Sequence, residues 1–200
     1  MRALLLAIAL LAAWVAPAAA LTPADDALVA RAVAYFQGLS TARGRFVQTD
    51  PRGGVSGGTF WLQRPGRARF DYDPPSGLVI ASDGFKVQVV DKRLKTVQSY
   101  LLGATPLSLF LARDIRLDRG VKVAAVTRSD GAFTVLARDA AHPDRGQIAL
   151  TFTEKPLTLT GWTLTDSAGQ TVKVRLLDFA AATPRPKAFF TIDNPKRLGG

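Results

Sequence analysis

Apolar and polar residues alternate on both sides of an Arg-Pro-Gly turn in the segment 57–73. In its second half, Ala68, Phe70 and Tyr72 alternate with the charged residues Arg67, Arg69, Asp71 and Asp73. A period of two residues is typical of a β-strand with one apolar face and one solvated face. The segment therefore predicts a β-hairpin whose apolar face must be covered by another part of the molecule.

The same rhythm continues after residue 43, where short runs rich in Val, Thr and aromatic residues are separated by Gly, Pro, Asp and Ser. Such runs with short connections predict an antiparallel meander. The predicted strands are 43–49, 57–63, 67–73, 77–82, 85–91, 95–101, 121–127, 132–138, 147–153, 157–165 and 171–178.

A change of phase within one run indicates that the sheet is bent. Leu157 and Leu159 are followed by Trp162 and Leu164, with Gly161 at the switch, which predicts a bulge. Long antiparallel sheets that twist strongly curl toward a barrel or split into a sandwich. The sequence thus predicts a mainly β fold, a highly curved antiparallel sheet with one or two helices against its concave side.

Two segments have helical patterns. Thr22 and Pro23 suit the N-cap and first turn of a helix, apolar residues recur at helical spacing after them, and Gly38 marks its end. The second segment, 105–112, is strongly apolar and begins with Thr105 as a cap and a proline as the first helical residue. It is either an ordinary core helix or a lid that can move.

The N-terminus has the pattern of a secretory signal peptide. Arg2 precedes an apolar run at 3–15, and small residues lead up to Ala20. The run is shorter than the roughly 20 residues that a membrane-spanning helix needs. We expect cleavage near Ala20 and export of a single domain, residues 21–200. The chain has no cysteine, so its stability must come from its core and no cysteine can carry a lipid anchor.

The chain is basic, with 26 Lys and Arg against 16 Asp and Glu and a formal net charge of +10 spread along its length. A basic surface suits nucleic acid, anionic headgroups or an acidic protein, and it also serves simply as a soluble surface. Because the chain is predicted to be exported, we expect no nucleic-acid partner.

No motif indicates catalysis. The segment 54–58 matches G-x-S-x-G, but it leads into a predicted strand instead of a helix, and the one histidine, His142, lies in a predicted turn. A zinc or copper site would lack its preferred ligands. Asp71 and Asp73 share a strand face with arginines, which favours surface ion pairs. Without a P-loop or dinucleotide motif, we expect a binding protein with no metal, no cofactor and no catalytic residues.

The opening hairpin also resembles a family motif. Residues 58–72 read G-T-F-W-L-Q-R-P-G-R-A-R-F-D-Y, which is similar to the G-x-F-x-L-x-R-P-G-x-x-R-[WF]-x-Y segment of the periplasmic outer-membrane lipoprotein carrier family, LolA. Further segments resemble that family in the same order, namely F-V-Q at 46–48, Pro75 with V-I-A-S-D-G at 79–84, and T-P-L-S-L-F at 105–110. The resemblance covers essentially residues 21–200.

This resemblance implies an unclosed β-barrel with a helical lid over its concave apolar face. It also implies a monomeric periplasmic chaperone, not an enzyme, that carries acylated lipoproteins. They would come from an inner-membrane ATP-driven lipoprotein-releasing complex and go to an outer-membrane lipoprotein receptor. A carrier of this kind needs no ATP site of its own.

The resemblance further implies roles for individual residues. The arginine matching Arg64 hydrogen-bonds to the lid helices in the family and holds the empty carrier closed, a role that suits a forked guanidinium. The alternative is a hairpin arginine without lid contact. The expected acyl-chain cavity is lined by Phe46, Phe60, Leu62, Ala68, Phe70, Tyr72, Val79, Val87, Val89, Leu107 and Phe110. The alternative is that these side chains fill a permanent core.

Two other functions remain open on the same fold. One is a periplasmic lipid-binding sensor or regulatory domain, and the other is a carrier of a different lipid, since an apolar cavity discriminates poorly between chains. The chain ends soon after the segment 189–195 with a basic tail at Lys196 and Arg197. The additional structure that some relatives build from a longer C-terminal extension is therefore in doubt here.

Overall fold

Eleven strands form one antiparallel sheet in the computed structural model, which describes residues 20–105, 107–113 and 120–192. The strands are β1 (Thr41–Thr49), β2 (Val55–Gln63), β3 (Arg67–Tyr72), β4 (Leu78–Asp83), β5 (Lys86–Asp91), β6 (Thr96–Leu101), β7 (Val121–Ser129), β8 (Ala132–Asp139), β9 (Gly146–Glu154), β10 (Leu157–Asp166) and β11 (Thr171–Ala181). Each of the eleven predicted strands is confirmed, with ends that differ by at most three residues.

The order of the strands makes the sheet an unclosed barrel. It runs β6-β5-β4-β3-β2-β1-β11-β10-β9-β8-β7, so β1 and β11 join two meanders at the centre while β6 and β7 remain at the edges. The connection between these two edges contains a 3-10 turn, Leu102–Ala104, and a short helix, α2 (Ser108–Leu111). The predicted mainly β fold, curved, antiparallel and unclosed, is confirmed.

The first helix, α1 (Pro23–Gly38), begins and ends where the sequence predicts. Thr22 and Asp25 form a capping box, in which the Thr22 hydroxyl accepts from the Asp25 amide at 3.2 Å and the Asp25 carboxylate accepts from the Thr22 amide at 2.9 Å. The apolar residues of this helix are buried on one side, among them Leu28 and Phe36. The helix therefore covers apolar sheet surface with a single stripe.

The second helix is shorter than predicted and does not start at Thr105. The Thr105 hydroxyl donates to the Leu102 carbonyl at 2.8 Å, so it closes the preceding 3-10 turn and is not available as a cap. Ser108, the first residue of α2, donates from its hydroxyl to the Thr105 carbonyl at 2.8 Å. The helical lid of the sequence prediction is thus a 3-10 turn followed by one turn of α-helix.

The apolar core lies on the concave side of the sheet. It joins buried side chains from α1, α2 and the Leu102–Ala104 turn to others from β1–β3, β5 and β8–β11. The predicted signal peptide lies outside the described residues, except Ala20. In the part that is described, no helix is long and apolar enough to cross a membrane.

The predicted bulge is present in β10. The pairing of β10 with β9 shifts between Leu159 and Gly161, so Leu159 opposes Phe152 and Trp162 opposes Leu150. Gly161 lies so close to β11 that a Cβ atom would approach the Val174 carbonyl oxygen to 2.3 Å. The bulge keeps both Leu159 and Trp162 buried on the same side.

We expect Gly161→Ala to lower the free energy of unfolding by about 2–3 kcal/mol, because the backbone of β11 must move to admit the methyl group. Urea denaturation of the two proteins measures this difference. Gly38→Ala is the matched control, since a Cβ at Gly38 meets nothing within 4 Å. Equal stability of Gly161→Ala and the parent protein would contradict the tight approach.

Candidate functional site

The hairpin of β2 and β3 places its predicted cavity residues on the concave face. Phe60 lies opposite Phe70, and Leu62 lies opposite Ala68. These four residues are buried, and so are Phe46 of β1 and Val87 of β5 in the same core. The structure thus brings together six of the predicted cavity residues as one apolar surface.

Three further predicted residues lie at the margins of this surface. Tyr72 and Leu107 are partly buried and pack against the core. Val89 is partly buried opposite Ile80, which places it on the concave face by register. The Tyr72 hydroxyl donates to the Gln48 side-chain oxygen at 2.6 Å, and burial raises the pKa of Tyr72 to about 12. The side chain of Phe110 lies outside the described part of the structure.

The prediction for Val79 is wrong. Phe70 opposes Ile80, so the alternation of β4 directs Ile80 to the concave face and Val79, opposite Asp71, to the convex face. Val79 is buried there, opposite Val90 of β5. Ile80 replaces it at the margin of the concave core.

A C-terminal segment covers this part of the convex face. The 3-10 turn Lys187–Phe190 packs on β3 and β4, and the Phe190 side chain is fully buried. Arg69 donates to the Phe189 carbonyl at 2.9 Å and forms a forked pair with Asp71 at 2.7 and 2.8 Å. The sheet therefore has a second, smaller core on its outer side. The polar, proline-containing sequence before Phe189 gave no periodic signal from which to predict it.

Several aromatic residues of the concave core were not predicted as site residues. The ring centroids of Phe36 and Phe152 are 5.7 Å apart, and Phe152 stacks on Phe133 at 5.2 Å. Trp162 lies edge-on to Phe70 at 5.9 Å, which joins the two halves of the sheet. The sequence predicted a helix at Phe36 and strands at Phe133, Phe152 and Trp162. It did not predict how the helix and the two halves of the sheet come together.

Arg64 contacts both helical parts of the cover. Its guanidinium donates to the Ala112 carbonyl and, at 3.3 Å, to the Arg113 carbonyl, directly after α2. Carbonyls at the end of a helix lack intrahelical partners and favour a cation. The guanidinium also lies 5.9 Å from the centre of the Phe36 ring of α1. A hairpin arginine without contact to the helices is thereby excluded, while the latch role of Arg64 stays a prediction.

The turn that carries Arg64 is itself attached to α2. The Gly66 amide donates to the Leu111 carbonyl at 2.7 Å, and the Gly66 carbonyl accepts from the Ser82 hydroxyl at 2.6 Å. Gly66 has a φ of 76°, and a Cβ at this residue would approach Gly84 to 2.6 Å. The Arg-Pro-Gly sequence thus forms a close backbone junction between the hairpin and α2.

Two ion pairs hold α1, one at its first turn and one near its middle. Asp25 forms an ion pair with Arg128 of β7 at 2.8 Å. Arg31 donates to the carboxylate and to the carbonyl of Glu154, each at 3.1 Å. Hydrogen bonds from Thr22 and the charge of Arg128 lower the pKa of Asp25. The helix is consequently attached at its polar margin and packed by apolar contacts along its length.

The interior is closed in this conformation. Phe36 is 2% exposed and Leu111 is 0% exposed, and both belong to the concave core. Open clefts of about 580, 370 and 260 Å³ lie outside, along residues of β1, β2, β10 and β11. A ligand could contact this buried face only if α1, α2 or both moved away from it.

The structure places the candidate hydrolase residues apart from any nucleophile elbow. Ser56 lies within β2, opposite Gln48, and His142 lies in an exposed turn before Pro143–Arg145. The surface carboxylates Asp71 and Asp73 pair with Arg69 and Arg45. Among the described residues, no cluster of three or more His, Asp or Glu side chains is arranged to hold a metal ion.

The chain is similar to proteins of one family. The sequence model of the outer membrane lipoprotein carrier protein LolA matches residues 37–193. The outer-membrane lipoprotein carrier protein of Chromobacterium violaceum is 28% identical over 181 residues, which cover 87% of each chain. The Legionella pneumophila protein of the same name is 31% identical over 147 residues, 70% of this chain and 71% of that protein.

A solved structure has a similar fold. A DUF1329 family protein from Desulfovibrio piger superposes with a TM-score of 0.50 at 10% identity, over 82% of this chain and 94% of that chain. At this level of identity the likeness concerns the fold alone.

The lowered pKa of Asp25 predicts an acid-sensitive anchor for α1. A carboxyl group whose pKa is depressed by folding stabilises the protein above its unfolded pKa of 3.8 and loses that contribution as the pH falls through its folded value. We therefore expect Asp25→Asn, which resembles the protonated acid, to melt at a lower temperature than the parent protein at pH 7. The difference should diminish below about pH 4.

Melting curves of both proteins from pH 7 to pH 2 measure this effect. Asp26→Asn is the control, because Asp26 lies in the same first turn but is exposed. A difference for Asp25→Asn that persists at pH 2, or none at pH 7, would show that the ion pair does not stabilise the helix.

Proposed function

The chain belongs to the outer membrane lipoprotein carrier family LolA, and we propose that it is a periplasmic chaperone that carries the acyl chains of lipoproteins. The observation on which this rests is the continuous apolar surface of an open sheet. It is covered by α1 and by the short helix α2, and Arg64 contacts α1 and the residues directly after α2. Such a surface suits apolar chains, and its cover consists of elements that can move without breaking the sheet.

The physical need for a carrier follows from the cost of exposing lipid. Three acyl chains of about fifteen methylenes each, at about 0.8 kcal/mol per methylene, would cost on the order of 35 kcal/mol in water. A lipoprotein cannot cross an aqueous compartment at that cost. The concave face of β1–β5 and β8–β11 offers a surface on which the chains are shielded.

Binding is made reversible by an exchange of apolar contacts. In the closed form, Phe36 and Leu111 occupy the concave core. Acyl chains would take over the contacts that the helices give up, so the net change in apolar burial is small in either direction. Polar bonds at the margin, above all those of Arg64, then set the balance between the closed and the loaded form.

The proposed route begins with export, removal of residues 1–20 and folding of residues 21–200 as a monomeric single domain. Cargo is received from an inner-membrane ATP-driven lipoprotein-releasing complex and is passed to an outer-membrane receptor. The protein itself catalyses no reaction in this scheme. The energy for loading comes from the complex, and closing of the cover at Arg64 favours release.

We expect Arg64→Leu to weaken the closed form, since a hydrogen bond to a charged group contributes about 1.5–3 kcal/mol. Uptake of a hydrophobic fluorescent probe by the empty protein should rise roughly tenfold, and release of bound lipoprotein should slow by a similar factor. Probe titration and a release assay with loaded protein measure the two effects.

Arg52→Leu is the matched control, because Arg52 is exposed in the turn between β1 and β2 and, among the described residues, no hydrogen bond joins its side chain to α1 or α2. Arg64→Lys keeps the charge but not the forked guanidinium. Its probe uptake and its rate of lipoprotein release should lie between those of Arg64→Leu and the control. If Arg64→Leu takes up probe and releases lipoprotein as the parent does, Arg64 is not a latch.

The cargo itself can be identified from protein isolated from the periplasm. We expect mass spectrometry of the purified material to find triacylated lipoproteins, with more of them on Arg64→Leu than on the parent. If only free lipid is found, the protein carries another lipid instead of lipoproteins. A single lipid species that stays bound without transfer to membranes would favour a lipid sensor.

A further inference from the structure

One edge of the sheet collects large apolar side chains that face water. Among the described residues, five large hydrophobic side chains are at least half exposed, and four of them lie between β4 and the end of β6. They are Phe85 (83%), Leu94 (64%), Tyr100 (50%) and Leu101 (72%), and the fifth is Val55 (71%) at the start of β2. This segment includes β6, an edge strand with no strand beyond it.

The turn between β5 and β6 places Leu94 among cations. Lys92, Arg93 and Lys95 are all exposed, and none forms an ion pair with a described carboxylate. The one acidic residue of the turn, Asp91, accepts from the Arg93 and Leu94 amides at 2.8 and 2.9 Å. The loop therefore holds an exposed leucine within a group of three positive charges.

The opposite end of the same hairpin also exposes an apolar side chain beside a cation, although with a single lysine. The Asp83 carboxylate accepts from the Phe85 and Lys86 amides at 2.8 and 3.0 Å. The Phe85 side chain itself is exposed to solvent. Lys86 opposes Leu101, so a cation again lies beside apolar side chains. Six residues of β6 separate the two ends, a distance of about 17 Å at the usual rise of a strand.

We propose that this edge, defined as residues 84–101, docks on the surface of a bilayer that contains anionic lipids. Lysine is depleted in the cores of protein–protein interfaces, whereas cations that flank an exposed apolar residue match a headgroup layer over hydrocarbon. The polar residues Thr96, Gln98 and Ser99 of β6 lie between the two apolar ends, which suits a flat, deformable surface better than a shaped pocket. Charge complementarity and the exposed apolar ends select the bilayer as the occupant.

Docking at this edge would orient the carrier. The 3-10 turn Leu102–Ala104 follows Leu101 directly, and the Leu102 amide donates to the Phe85 carbonyl at 2.8 Å. The start of the lid segment and the open side of the sheet would therefore lie next to the bilayer. This consequence for transfer rests on the proposed function, whereas the binding to lipid does not.

Vesicle sedimentation of the purified protein tests the proposal. Phosphatidylcholine vesicles are compared with vesicles that contain about 30% phosphatidylglycerol, at low and high salt. We expect binding to the anionic vesicles only, and weaker binding at high salt. The double variant Phe85→Ser/Leu94→Ser should bind about tenfold more weakly, and Lys92→Gln/Lys95→Gln should lose a similar factor.

The chain offers matched controls for both changes. Val55→Ser removes an equally exposed apolar side chain elsewhere, and Lys122→Gln/Lys173→Gln removes two exposed charges from β7 and β11. Both should bind as the parent does. Equal losses in test and control variants, equal binding to both kinds of vesicle, or no binding would each overturn the proposal.

Two measurements without vesicles distinguish docking on a bilayer from self-association and from a damaged interior. Sedimentation equilibrium detects pairing of β6 with a second copy, and a dimer that the Phe85→Ser/Leu94→Ser variant abolishes would assign the edge to self-association instead. Probe uptake should be unchanged in the edge variants. A variant that no longer binds vesicles but takes up probe normally has lost docking alone. If the parent protein itself takes up no probe, the proposed function is overturned.

Discussion

The molecule depends on covering the concave face of a sheet whose edges do not meet. Because β6 and β7 remain apart, the apolar surface between them cannot be buried by closure, and α1 and the segment between the two edge strands must do it. These covers are packed by apolar contacts and fastened by polar ones, at Asp25 and at Arg64. Apolar contacts tolerate many arrangements, whereas these polar contacts require one geometry, so they specify how the helices lie on the sheet.

Much of this arrangement could be predicted from the sequence, because alternation with turn residues specifies strands locally. The bulge at Gly161 was predictable for the same reason. The face of Val79 was not, since its phase within β4 depends on the register with β3. The start of α2 was also missed, because the Thr105 hydroxyl bonds backward and not forward along the chain. Contacts between residues distant in sequence, such as Phe36 with Phe152, require the topology.

Charge and apolar surface are distributed differently on the two sides of the sheet. On the inner side, burial raises the pKa of Tyr72 to about 12. Outside, arginines pair with Asp71 and Asp73 or lie against aromatic rings, as Arg185 does on Trp61 at 4.5 Å. The β2–β3 hairpin, which resembles the carrier motif, therefore combines two separate structural features. One is its apolar inner face, and the other is the Arg-Pro-Gly junction at its end.

The C-terminal segment on the convex face determines which parts of the protein can deform. The Gln63 side chain accepts from the Arg185 amide at 2.7 Å and donates to the Arg185 carbonyl at 3.2 Å, immediately before Arg64. The Arg64 amide is bonded to the Ser40 carbonyl at 2.8 Å. The backbone at Arg64 is therefore held on both sides by hydrogen bonds. If Arg64 acts as the proposed latch, opening would displace the helices and leave this part of the sheet in place, so the barrel would serve as a fixed frame.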